Sequence, residues 1–140
     1  MKKFNFNLEK ILELKRFSEE EAKMALGLAI GVLTQIENKI KETALKQHNA
    51  ASERFKNPAQ MLMWNNYIER LQQETEKLME EAAQAELVVE EKRNLYTEAF
   101  RDLKAMEKLK EKKETEYKKI METKESLELD EIFAARASVL

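Results

Sequence analysis

The chain has 140 residues, 37% of them charged, with two Gly, one Pro and no Cys. So few turn formers exclude a multi-stranded sheet or a bundle of short helices, and the lack of Cys excludes disulfides and thiolate chemistry. With 25 basic and 27 acidic residues the net charge is −2, so no global field draws the chain to nucleic acid or to an anionic membrane.

The first element is a short arm, residues 1–7. In "FNFNLEKILELK", Phe4, Phe6 and Leu8 fall two apart, and from Leu8 the apolar spacing changes to three and four. Asn7 is the expected N-cap and Glu9 the favourable first-turn acid. Phe6 and Ile11 then stand at the hydrophobic-staple positions, and Phe4 is left as a large apolar residue on the arm.

Helix one is expected over 8–55. Its seam alternates through Leu8, Leu12, Ala22, Leu26, Ala29, Leu33, Ile36 and Ile40, with polar breaks at Lys15 and Glu19. Met24, Gly27, Leu28 and Gly31 point away from this seam, so the segment is apolar nearly all round and forms a candidate partner patch. The run "MALGLAIGVL" is about half of the roughly 20 residues a membrane span needs, which predicts no direct membrane insertion.

The single Pro sets the turn, expected at 56–58. Asn57 is a good N-cap, and Pro58 fits the first helical position, where its missing N–H costs nothing. Helix two follows over 58–135, leaving a tail at 136–140. Its heptad seam passes from Met61, Trp64, Ile68 and Leu71 through Leu78, Ala85, Val89, Tyr96, Leu103 and Met106 to Lys110, Lys113, Tyr117, Ile120, Lys124 and Leu127, the signature of a coiled coil. Leu62 and Met63 point outward beside the inward Trp64, with Tyr67 at the flank.

The fold expected is all-α: a long two-helix antiparallel coiled coil, in one domain, with a C-terminal helical overhang. A short connection makes the helices antiparallel, and a turn centred near 56–57 gives partners whose numbers sum to about 113. That register sets the small residues Ala22, Ala25, Gly27, Ala29 and Gly31 against Ala82, Ala83 and Ala85. It also leaves helix two unpaired beyond about Met106, an overhang of roughly 40 Å.

Catalytic chemistry is missing. The lone His48 lacks the Glu-x-x-His spacing of helix-borne metal sites, no Gly-rich loop could cradle phosphate, and the many carboxylates sit on solvated helix faces with no pocket to raise a pKa. The reading is a non-enzyme with no cofactor and no metal. The N-terminus alternates Phe and Asn before turning charged, unlike a signal peptide, and a cytoplasmic location is expected.

Three stretches resemble the flagellar export protein FliJ family. "FNFNLEKILELK" is similar to that family's opening, "MWNNYIERL" (Met63–Leu71) to the aromatic stretch that opens its second helix, and "LELDEIFAARA" (Leu127–Ala137) to its acidic, then Ala- and Arg-rich, close. The resemblance implies a stalk-like coiled coil of the flagellar type III export apparatus, at the cytoplasmic face of the cell membrane at the flagellar base. Implied partners are the export ATPase ring, the cytoplasmic domain of the export gate, and export chaperones, with no nucleic acid. Gate binding is then expected at Tyr67, Leu62 and Met63, and ring binding at Phe4, Phe6, Lys110, Lys113, Tyr117, Ile120 and Leu127. The alternative is a generic self-associating coiled-coil scaffold.

Overall fold

The computed structural model describes residues 3–139, apart from the side chain of Val139. Helix α1 runs Glu9–Lys56 and helix α2 runs Met61–Val139, joined by Asn57 and a single 3-10 turn, Pro58–Gln60. The two helices pack as an antiparallel coiled coil, and no strand occurs among the described residues. Contacts divide the chain into two compact units, one of Met1–Glu19 with Glu98–Leu140 and one of Glu20–Thr97.

The burial pattern of α1 is an unbroken heptad. Leu8, Leu12, Lys15, Glu19, Ala22, Leu26, Ala29, Leu33, Ile36, Ile40, Thr43, Gln47, Ala50 and Arg54 are buried or half-buried, and they alternate four and three apart. Lys15 and Glu19 therefore interrupt the chemistry of the seam and leave its geometry intact. Lys15 stays there because its long stem can pack while Nζ reaches the Asp102 carboxylate, 3.6 Å away. Thr43 is buried, and its hydroxyl donates to the Lys39 carbonyl at 2.8 Å, so a polar seam residue is satisfied within its own helix.

In α2 the inward positions match the expected seam from Trp64 to Lys110 and again at Tyr117, while Glu114 replaces Lys113 and Met121 replaces Ile120. A helix of 3.6 residues per turn drifts against a 3.5-residue repeat unless it supercoils. Lys113 and Ile120 consequently face solvent.

In the turn, the Gln60 N–H donates to the Asn57 carbonyl at 3.0 Å and the Met61 N–H to the Pro58 carbonyl. Asn57 makes no side-chain cap; its amide donates instead to Gln60 Oε1 at 3.3 Å. The connection thus occupies 57–60, and α2 starts three residues later than expected. This shifts the register. Arg54 Nη1 donates to Asn65 Oδ1 at 3.0 Å, a pair whose numbers total 119, and Glu9 meets Lys110 with the same total.

The expected apposition of the small residues of α1 with Ala82, Ala83 and Ala85 does not occur. In the observed register Ala29 stands near Val89, and both are buried. A Cβ added at Gly27 or Gly31 would meet nothing within 4 Å, so neither glycine serves a close approach inside the chain.

At the start of α1, the Glu9 N–H donates to the Phe6 carbonyl at 3.1 Å and the Leu12 N–H to the Leu8 carbonyl at 2.9 Å. The first helical bond thus starts from Leu8, which takes the N-cap position expected for Asn7. Phe6 does not staple to Ile11, which is exposed; it packs with Leu12 and Leu103, and Phe4, Leu8, Met106 and Leu109 close around that cluster. Burying a large apolar ring between two helices removes more surface from water than a local staple on one helix could.

Candidate functional site

The unit containing Phe4 carries an apolar groove. Extended backbone advances about 3.3 Å per residue against 1.5 Å for a helix, so a few arm residues cover several turns of α2. The Phe4 ring lies on Tyr117, centroids 5.5 Å apart at an interplanar angle of 50°. Between arm and helix runs a groove of about 650 Å³, lined mainly by Phe4, Phe6, Leu8, Leu109, Lys113, Tyr117 and Ile120. Internal packing of α2 therefore extends to Tyr117, beyond the expected limit at Met106. From Glu122 to Ser138 every residue is exposed.

The seven residues expected to meet the ring divide by role. Phe6 is only 8% exposed and supports the groove from beneath, so it is corrected from a contact to a core residue. Lys110 Nζ is held by Glu9 at 2.9 Å and clamps the start of α1 to α2. Phe4 and Tyr117 engage one another. Lys113, whose Nζ is 3.7 Å from Glu116, lies on the solvent side together with Ile120 and Leu127. Sequence reasoning missed Leu129, Ile132 and Phe133, also exposed on the unpaired stretch. Their three- and four-residue spacing was the available signal, hidden because it falls off the seam being followed.

The second surface lies in the other unit, beside the turn. Tyr67 is half-buried, edge-on to Trp64 at 6.1 Å and 73°, with the Arg70 guanidinium 5.8 Å from its ring centre. Trp64 Nε1 is buried without a hydrogen-bond partner, which marks this indole as held by packing. Leu62 is 75% exposed and Met63 is exposed beside it. Phe55, which the sequence did not single out, is exposed at the end of α1 with the Arg54 guanidinium 4.9 Å from its ring centre.

Met24, Leu28, Gly27 and Gly31 all face outward on α1 in the same unit, with Leu28 74% exposed. Among the described residues no cluster of His, Cys, Asp or Glu could hold a metal ion, and no helix is long and apolar enough to cross a membrane. The chemistry available is apolar and aromatic contact with charged margins, the chemistry of protein docking.

A family model described as Flagellar FliJ protein matches residues 4–139. No curated protein and no solved structure matches.

Proposed function

The chain belongs to the flagellar FliJ protein family, a component of flagellar protein export, and from that premise we propose that it connects the export ATPase ring with the cytoplasmic domain of the export gate and escorts export chaperones. It does so without catalysis, at the cytoplasmic face of the cell membrane. The reading is carried by two unlike exposed surfaces, one in each unit: an aromatic cluster at Tyr67 with Leu62 and Met63, and the arm groove continuing into Lys113, Ile120 and Leu127.

The gate is assigned to the first. A half-buried Tyr locked against a Trp offers a large amphipathic contact at little entropic cost, the character of an interface hot spot. The ring is assigned to the second, where exposed apolar side chains alternate with lysines. Tyr67→Ala tests the gate assignment: binding to the gate's cytoplasmic domain falls by about tenfold or more while circular dichroism stays that of the parent. Unchanged affinity in a folded variant refutes it.

A self-associating scaffold is the competing reading, favoured by the unpaired helical stretch with Leu127, Leu129, Ile132 and Phe133 exposed. The mass in solution separates the two, since only the scaffold buries that stretch in a second copy.

A further inference from the structure

On the Glu20–Thr97 unit, one flank of the helix pair changes character along its length. Toward the turn it is a charged groove lined by Lys39, Glu42 and Lys46 of α1 and Glu74, Lys77 and Glu81 of α2. Such complementary pairs are the usual solvated margin of a two-helix seam. Farther from the turn the same register sets Val32 opposite Val88 and Ala25 opposite Leu95, with Leu28 just outside them. Val32, Val88 and Leu95 remain 44–53% exposed.

We propose that this flank, centred on Leu28, Val32, Val88 and Leu95, receives a third helix from another protein, whose apolar stripe is bordered by Lys or Arg. Two observations carry the choice of occupant, and neither depends on the ring or gate assignments above. First, apolar residues at both seam positions and one flanking position are the pattern of a helix with two neighbours; a helix in an isolated pair needs only the seam. Leu28, Val32, Val88 and Leu95 are all exposed and form an apolar strip along this flank, the kind of surface that marks an interaction site.

Second, the outer margin of the flank carries Glu21 and Glu91 with neutral Gln35 and Gln84, while Lys23 and Arg93 fall on the opposite flank. A basic-edged helix is attracted there. A second copy of this chain is not: it would bring the same two carboxylates, or the apolar residues of its own last stretch, which lie among Glu128, Asp130 and Glu131.

The test uses the full chain and two synthetic helical peptides that share one Leu-rich stripe, one edged with Lys and one with Glu. Fluorescence anisotropy detects binding of the Lys-edged peptide only. Leu28→Gln and Leu95→Gln each weaken it about tenfold, with helicity and melting temperature unchanged because both side chains are solvent-facing. The proposal is overturned if neither peptide binds, if both bind alike, if the Gln variants bind like the parent, or if light scattering shows a dimer that the Gln variants dissolve.

Discussion

The ring of Phe4 rests on the ring of Tyr117, 5.5 Å between centroids, and ties the extended arm to α2. This contact explains why a large apolar residue stands on an arm at all. An aromatic pair of this kind is worth about 0.5–1.5 kcal/mol beyond its burial. Phe4→Ala should therefore lower stability by about 1–2 kcal/mol and speed amide hydrogen exchange at Glu9, whose N–H closes the arm turn on the Phe6 carbonyl, and at Leu12, whose N–H makes the first helical bond. Parent-like exchange would mean that the arm is held by Phe6 alone.

Leu12 is the one large side chain that is fully buried among the described residues, set between Phe6 and Leu103. Leu12→Ala should cost about 2–4 kcal/mol in urea unfolding, whereas Leu62→Ala, at a solvent-facing position, should stay within about 0.5 kcal/mol of the parent. Equal losses at the two sites would contradict the burial pattern.

Gly27 and Gly31 face open space. Replacing either with Ala should raise stability by about 1 kcal/mol, because Ala is the better helix former and its methyl group meets nothing. A fall in melting temperature for either variant would show a packing role that the geometry does not contain.

Two truncations locate the end of the packed core. Cutting after Met106 removes Leu109, the Lys110 clamp on Glu9 and the Tyr117 partner of Phe4, and should destabilise the chain measurably. Cutting after Thr123 removes, among the described residues, only exposed ones and should leave the circular dichroism melt unchanged. If the two truncated chains melt alike, the packing of residues 107–123 contributes nothing.

The fold was legible because heptads and Asn57-Pro58 are local signals. Periodicity names the buried positions directly, down to Lys15 and Glu19, where geometry persists although the side chains are polar. The register was not legible, since it depends on how many residues the turn consumes, and a 3-10 turn through Gln60 is not distinguishable from the start of α2 by composition. That error propagated into the apposition of the alanines. Similarly, the arm read as a helix lead-in because nothing in its own sequence shows that Leu103 and Tyr117 lie beside it. Among the candidate contacts, Leu62 and Met63 were readable as outward residues. Phe6 was misread because its burial is tertiary.

The most direct measurement of the proposed role is co-sedimentation of the chain with the assembled export ATPase ring, comparing the parent with the Ile120→Gln, Leu127→Gln double variant. Both side chains are exposed, 60% and 57%, so helicity and melting temperature should not change. The account predicts that the parent pellets with the ring and that the variant's affinity falls by about tenfold or more. A parent chain that stays in the supernatant, or a folded variant that pellets as the parent does, would contradict it.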